Sequence, residues 1–194
     1  MKIICIGDSL TYGFGISRSN IWTNIAKDKL SVDIINEGIN GDTTGGMLSR
    51  FNDSVIIKKP DVVFIMGGTN DLIAGATLGV VQANIMSMVH QSFGKLLMPI
   101  IGIPSKVDIK NIRKDWAEFT DFNKISSEME KYKSWIIGFC KTFGVNYIDF
   151  NSEIETKAKL LNESIYMDGL HLNQEGQKIM AEIFIDKINK IKNN

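Results

Sequence analysis

The chain has 194 residues, of which 44% are hydrophobic and 23% charged, values typical of a globular domain with a sizeable core. Its 22 Lys and Arg residues balance its 22 Asp and Glu residues, which argues against the basic face of a nucleic-acid-binding protein. Two histidines and two cysteines without a CxxC pair give little material for a zinc site, so we expect no metal.

The composition also bears on location. No window approaches the roughly 18 apolar residues of a membrane span, and the apolar segment at 2–6 is too short for a signal peptide. Cys5 and Cys140 fit buried free thiols in a reducing compartment. We therefore expect a cytoplasmic protein without a membrane span.

Short apolar segments alternate with longer segments of helical periodicity. The short segments predict five buried strands, at 2–6, 31–36, 61–66, 95–101 and 145–149. The longer ones predict helices over 19–30, 44–58, 77–93, 122–143 and 173–191. This βα alternation predicts an α/β fold in which helices cover both faces of a parallel sheet, as a single domain over 1–194.

Some local signals mark where these elements begin and end. Thr43 or Thr44 fits the N-cap of the helix over 44–58, and Gly144 fits the C-cap of the helix over 122–143. Pro99 shortens the fourth strand or lies at its end. The irregular stretch 104–120 is interpreted as a functional loop and not as a domain boundary.

Four polar motifs follow predicted strands. They are "GDSL" at 7–10, "NGDTT" at 40–44, "GGTND" at 67–71 and "DGLH" at 168–171. Because ligands of an open α/β sheet bind outside the carboxyl ends of the strands, we expect all four motifs to lie along one edge. This edge would then carry a hydroxyl group, a flexible glycine, a carboxamide and a carboxylate–imidazole pair.

These groups are the components of acyl transfer. Ser9 can serve as a nucleophile once His171 takes its proton, and Asp168 can hold the imidazole in the required tautomer. The backbone N–H groups of Ser9 and Gly41 and the side-chain amide of Asn70 can donate to the oxyanion of a tetrahedral intermediate.

Each motif alone also has a simpler interpretation. Asp8 or Ser9 fits a helix cap, and Asp168-Gly169 fits an ordinary turn. His90, within a helical pattern, is interpreted as non-catalytic. The four motifs in this order, each beyond a strand, are much harder to explain as turns alone.

The same four motifs resemble the sequence blocks of the SGNH hydrolases, also called GDSL esterases/lipases, over the span from Gly7 to His171. The chain is most similar to the small thioesterase/lysophospholipase-like and arylesterase-like members. This resemblance implies a flavodoxin-like three-layer αβα fold with five parallel strands in the order 2-1-3-4-5. It also implies a Ser9–His171–Asp168 triad, with Gly41 and Asn70 as oxyanion donors, and no metal or cofactor.

The leading hypothesis is therefore a serine hydrolase that cleaves a small-molecule ester or thioester through an acyl-enzyme. A carbohydrate O-acetyl esterase, an acyltransferase and a non-catalytic binding module on the same fold are the alternatives. A nucleotide-binding protein fits less well, because the chain lacks the G-x-G-x-x-G spacing and a G-K-[ST] sequence.

The substrate pocket is less well defined by sequence. Seven residues near the motifs are candidates for its lining: Trp22, Met47, Leu72, Ile73, Trp116, Tyr166 and Met167. Core packing is an equally good interpretation for each of them. The segment 116–122 is a candidate lid over the site.

Overall fold

Five parallel strands form the centre of the molecule. The structure, a computed structural model, describes residues 1–161 and 164–193. The strands are β1 (Lys2–Gly7), β2 (Asp33–Gly38), β3 (Val62–Met66), β4 (Met98–Ile103) and β5 (Asn146–Asp149). Their order is β2-β1-β3-β4-β5, and every neighbouring pair is parallel. The predicted α/β fold with sheet order 2-1-3-4-5 is confirmed.

Helices connect these strands. They are α1 (Ser9–Tyr12), α2 (Trp22–Leu30), α3 (Thr44–Ser49), α4 (Thr69–Ile73), α5 (Leu78–Gly94), α6 (Lys114–Phe119), α7 (Phe122–Phe143), α8 (Phe150–Leu161) and α9 (Gln174–Lys192). Short 3₁₀ turns span Arg18–Asn20 and Ile109–Asn111, and a π-helical turn spans Asn52–Ile56.

Alternate residues of each strand bury opposite faces of the sheet. In β1, Ile4 and Ile6 pack in one core with side chains of α3, α5 and α7, whereas Ile3 and Cys5 pack in another with α2, α8 and α9. Because consecutive side chains of a strand point to opposite faces, a continuous apolar run supplies both cores. The sheet and the helices on its two faces therefore form three layers, and the strand ends remain available for polar groups. That they form one domain over 1–194 stays a prediction.

Several predicted boundaries are confirmed at their caps. The predicted helix over 122–143 coincides with α7, and Gly144 ends it in the left-handed conformation with φ 66°. Thr43 is the N-cap of α3, because its side chain accepts a hydrogen bond from the Gly46 N–H. Cys5 and Cys140 are buried free thiols, as expected.

Two strands begin later than predicted because the preceding helices end in left-handed residues. Ser31, with φ 51°, follows α2, so β2 begins at Asp33 and not at 31. Leu96 has φ 58° in the turn after α5, and β4 consequently begins at Met98. Neither residue is a glycine, so the sequence contains no signal for these turns.

Three helical segments differ from the predictions. The predicted helix over 44–58 ends as α3 at Ser49 and continues only as the π-helical turn. The stretch 104–120 is not wholly irregular, since it contains α6. Helix α8 is not among the predicted helices; Phe150, Ile154 and Ala158 pack its described part against the core. Within residues 1–161 and 164–193, no helix combines the length and the apolar character needed to cross a membrane.

The packing between β3 and β4 generates a stability prediction. A Cβ atom added at Gly102 would lie 2.4 Å from Phe64 Cζ and 2.9 Å from Met66 Cβ, inside the core. We expect Gly102→Ala to lower the free energy of unfolding by about 1–3 kcal/mol, measured by urea denaturation. Gly138→Ala in the middle of α7 meets open space and should raise this free energy by about 0.5–1 kcal/mol. Equal effects of the two variants would contradict this account.

Candidate active site

The first motif forms the turn from β1 into α1. Asp8 is the N-cap of α1, and its Oδ1 accepts a hydrogen bond of 2.9 Å from the Leu10 N–H. Ser9 is the first residue of this helix and is buried. The helix-cap interpretation therefore holds for Asp8, while the hydroxyl group of Ser9 is left for other contacts.

Ser9 contacts the histidine of the fourth motif. His171 Nε2 lies 2.9 Å from Ser9 Oγ, and His171 Nδ1 lies 2.7 Å from Asp168 Oδ2. Burial acts to raise the pKa of Asp168, but hydrogen bonds from the His171 N–H, the imidazole and the Leu170 N–H hold this pKa below its usual value. Asp168 is therefore a carboxylate that can orient the imidazole, whose other nitrogen faces the serine hydroxyl.

A neighbouring segment holds the turn that contains Asp168. The Asp108 N–H donates to the Gly169 carbonyl at 2.8 Å, and the Arg113 N–H donates to the Asp168 carbonyl at 3.3 Å. Gly169 has φ 84°, and a Cβ atom there would lie 2.6 Å from the Ile112 nitrogen. The segment 108–113 therefore braces the Asp168–His171 turn and requires glycine at 169.

The second and third motifs bring hydrogen-bond donors to the same place. Ser9, Gly41 and Asn70 line one cavity together with His171. Gly41 is in the left-handed conformation with φ 76°, and one N–H of the Asn70 side chain donates to the Asp42 carbonyl at 2.9 Å. A side-chain amide has two N–H donors. The Ser9 N–H, at the start of α1, has no acceptor within the helix.

Arg50 connects the loops that carry these donors, and the sequence analysis did not select it. Its side chain is mostly buried, and its Nε lies 2.8 Å from Asp42 Oδ2. Its Nη2 donates to the carbonyls of Gly7 at 3.2 Å and Glu37 at 2.9 Å. The guanidinium group thus ties the ends of β1 and β2 to the loop after Gly41. An arginine inside a helical segment is too common to indicate this role from sequence.

Asp71, in the third motif, fixes the start of α3. Its carboxylate accepts hydrogen bonds from the Thr44 N–H at 2.8 Å and from Thr44 Oγ1 at 2.6 Å. Asn84 also donates to this hydroxyl group. The second and third motifs are thereby joined to each other.

The cavity has a volume of about 340 Å³ and an apolar wall. Of the seven predicted lining residues, Ile73 and Trp116 line it. The complete lining is Ser9, Phe14, Asn40, Gly41, Asn70, Ile73, Trp116, Phe119, Phe122, Leu170 and His171. The sequence analysis missed Phe14, Asn40 and Leu170 as lining residues. The glycines that flank Phe14 were an available signal.

Three predicted pocket residues lie in the core and not at the cavity. Trp22 packs between the sheet and α9, and its Nε1–H donates to the Leu10 carbonyl at 3.0 Å. Met47 and Leu72 pack in the core on the other face of the sheet. All three follow motif loops in sequence, but their helices turn these side chains towards the sheet, so the pocket assignment is corrected to core packing.

The other two predicted residues do not line the cavity either. The Tyr166 hydroxyl group donates to the Lys106 carbonyl at 2.7 Å, and the ring lines a separate, more polar cavity. Burial raises the pKa of this phenol well above its usual range. Met167 is 42% exposed and packs near Gly15.

In the described part of the chain, no group of three or more His, Cys, Asp and Glu side chains is arranged to hold a metal ion. The expectation that the protein needs no cofactor stays a prediction.

Comparison with known proteins relates this arrangement to a family. The model of the GDSL-like lipase/acylhydrolase family matches residues 5–179. An arylesterase from Vibrio mimicus is 27% identical over 198 residues, covering 97% of this chain and 88% of that protein. The family match spans all four motifs and the helices between them.

Solved structures show the same fold. A member of the lipolytic protein G-D-S-L family from Veillonella parvula has a TM-score of 0.81 at 22% identity, covering 96% of this chain and 97% of that one. An acetylxylan esterase from Geobacillus stearothermophilus has a TM-score of 0.78 at 20% identity, covering 96% and 93%. At these identities the likeness bears on the fold alone.

The buried carboxyl of Asp8 generates a prediction about pH and stability. Burial raises its pKa to about 7, with Asp42 and Asp71 adding to this effect and the Leu10 N–H opposing it. The folded protein therefore binds more protons than the unfolded chain between about pH 4 and about pH 7. Asp8 thus contributes stability that is fully present below about pH 4 and is lost as the pH rises through about 7.

We expect Asp8→Asn, which keeps a capping oxygen, to remove this contribution. Between about pH 5 and about pH 8, the free energy of unfolding of wild type should fall by a few kcal/mol more than that of Asp8→Asn. This difference corresponds to about 1.4 kcal/mol for each unit by which the pKa is raised. Urea denaturation across this range measures the difference, with the exposed Asp28→Asn as control. The lowered pKa of Asp168 changes the free energy of unfolding only in more acidic solution, so Asp168 does not contribute to the difference in this pH range. Parallel curves for wild type and Asp8→Asn would contradict the prediction.

Proposed function

The chain belongs to the GDSL-like lipase/acylhydrolase family and is a carboxylic ester hydrolase, and on this premise we propose that it acts through a Ser9–His171–Asp168 triad. The observation that supports this proposal is the pair of hydrogen-bond distances that joins the three side chains, 2.9 Å from Ser9 Oγ to the imidazole and 2.7 Å from the imidazole to Asp168. The other proposed groups line the same cavity.

In the first step Ser9 Oγ attacks the ester carbonyl carbon while its proton moves to His171 Nε2. Asp168 accepts the Nδ1–H and stabilises the imidazolium ion that forms. When the carbon–oxygen bond of the ester breaks, His171 gives its proton to the departing alcohol, and an acyl group remains on Ser9.

The tetrahedral intermediate carries a negative oxygen. We assign its hydrogen-bond donors to the N–H groups of Ser9 and Gly41 and to the second side-chain N–H of Asn70. The hydrogen bond from Asn70 to the Asp42 carbonyl fixes the plane of this amide before the substrate binds. Such preorganised donors are worth more in a water-poor cavity than in solution.

The second step returns the enzyme to its starting state. His171 takes a proton from a water molecule, which attacks the acyl group on Ser9. The same oxyanion donors serve this second tetrahedral intermediate. The carboxylic acid then leaves, and the proton returns to Ser9 Oγ. An acyltransferase would use an alcohol in place of this water.

The character of the cavity favours an ester with an uncharged apolar part. Its wall away from the polar groups consists of aliphatic and aromatic side chains: Phe14, Ile73, Trp116, Phe119, Phe122 and Leu170. Such a wall stabilises apolar groups by removing them from water. A thioester fits the same chemistry, whereas a sugar acetate would place hydroxyl groups against this wall without partners.

The catalytic assignment predicts different losses for two variants. Ser9→Ala should remove nearly all hydrolysis of p-nitrophenyl acetate, because no nucleophile remains. Asn70→Ala should lower kcat by roughly 10²–10³ through the loss of one oxyanion donor. Asn123→Ala, at an exposed site on α7, is the matched control. Folding of each variant is checked by circular dichroism, and an unchanged kcat in Asn70→Ala would contradict its assignment.

The cavity assignment predicts a change of specificity. Ile73→Trp should fill part of the cavity and lower kcat/KM for the longer of two matched substrates while sparing the shorter one. One series varies the acyl chain of p-nitrophenyl esters from acetate to decanoate, and the other varies the alcohol of simple acetates. The series that responds identifies the part of the ester that occupies the cavity. Ile73→Val is the control, and identical profiles in both series would contradict the assignment.

A test of the candidate lid at 116–122 requires a point substitution and not a deletion. Trp116, Phe119 and Phe122 line the cavity, but the preceding segment 108–113 holds the Asp168 turn. Removing the region would disturb both, and a loss on all substrates would then say nothing about a lid. The lid function stays a prediction.

A further inference from the structure

Two aromatic rings pack on the imidazole of His171. The Phe14 ring lies with its centroid 4.4 Å from that of His171, at an interplanar angle of 37°. The Trp116 ring lies 5.8 Å away at 75°. Asp168 and Ser9 form hydrogen bonds with the two nitrogen atoms of the same imidazole. The contacts of the ring therefore include an aromatic group that the triad chemistry does not use.

The loop after α1 is built to place Phe14 there. Gly13 and Gly15 flank it with φ 81° and 75°, in the left-handed region that favours glycine. A Cβ atom at Gly13 would also lie 2.3 Å from Ile21 Cγ2. The N–H groups of Gly13 and Phe14 both donate to the Ser9 carbonyl, at 3.0 and 3.1 Å. The sequence "YGFG" thus ties the position of Phe14 to that of Ser9.

We propose that Phe14 is a positioning residue that holds the His171 imidazole towards Ser9 and stabilises its positively charged form by a cation–π interaction. This inference rests on the proposed role of His171 as the base. An aromatic face attracts a cation more than a neutral ring. During the reaction the imidazolium ion forms as the tetrahedral intermediate forms, so an interaction that favours this ion lowers the barrier without tightening substrate binding.

Polar and charged groups face the imidazole from several elements. The Asp168 carboxylate lies on its own turn, and the uncharged Ser9 hydroxyl group faces it from α1. Beyond Trp116 the Arg113 guanidinium lies 4.8 Å from the indole and is paired with Asp115. Phe14 contacts the ring directly, so its removal changes the environment of the imidazolium ion without altering these charges.

Kinetics of matched variants test the proposal. We expect Phe14→Leu, which keeps an apolar side chain but no aromatic face, to lower kcat for p-nitrophenyl acetate about 2–5-fold with KM little changed. The acid limb of its pH–rate profile should move to lower pH by about half a unit, because the imidazolium ion is less stable. Phe14→Tyr, which keeps the aromatic face, should keep the acid limb in place. Phe119→Leu, in the same cavity wall, should change KM and leave the acid limb in place.

A spectroscopic titration separates this proposal from the proposed function. The chain has two histidines, so labelled His171 can be followed by NMR with the exposed His90 as internal reference. We expect Phe14→Leu to move the titration midpoint of His171, and not that of His90, to lower pH by the same half unit. This readout does not need catalysis. If Ser9→Ala keeps full activity, the proposed function fails while the titration still tests Phe14.

Three results would overturn the role of Phe14. One is a His171 midpoint and a kcat that are unchanged in Phe14→Leu. Another is a higher KM with an unchanged kcat, which would make Phe14 only part of the cavity wall. The third is an equal loss in Phe14→Leu and Phe14→Tyr. If Phe14→Leu does not fold, 3,5-difluorophenylalanine at position 14 keeps the shape with a poorer π-face and should shift the midpoint in the same direction.

Discussion

The close packing at Gly7 is the constraint on which the site depends. A Cβ atom at this position would lie 2.1 Å from Thr11 Oγ1 and 2.5 Å from the Met66 carbonyl. With glycine there, α1 can begin two residues after the end of a buried strand and fold back onto the sheet. Gly38, at the end of β2, is packed equally closely, because a Cβ atom there would lie 2.3 Å from the Tyr12 nitrogen. The serine is therefore held by backbone packing and not by its own side chain.

From this fixed point the other loops are positioned by hydrogen bonds that cross between strands. Arg50 holds the carbonyl ends of β1 and β2 together with Asp42, and Asp71 holds the start of α3. The segment 108–113 holds the Asp168 turn. Because the Ser9–His171 distance joins two loops that are far apart in sequence, its geometry depends on these connections. A buried polar network of this kind defines one geometry when all its members are satisfied.

The cavity wall and His171, the proposed base, share structural elements. Phe14 follows α1, which carries Ser9, and Trp116 follows the segment 108–113 that holds the Asp168 turn, yet both rings contact His171 and line the cavity. A substrate that displaces either ring would therefore also disturb the proposed base. This coupling gives a physical reason why esters of different shape can differ in turnover as well as in binding.

The sequence by itself determined the α/β class, the parallel sheet and the four motifs at its carboxyl edge, because apolar runs and turn residues are local signals. It also predicted α7 to the residue, and Gly144, identified from the sequence as its C-cap, ends this helix. The tertiary structure alone decided which apolar residues face the cavity: Trp22, Met47 and Leu72 turn into the core, while Phe14 turns onto His171. It also selected Arg50 and set the starts of β2 and β4. These features depend on contacts between residues distant in sequence, or on left-handed turns at Ser31 and Leu96, which no local pattern records.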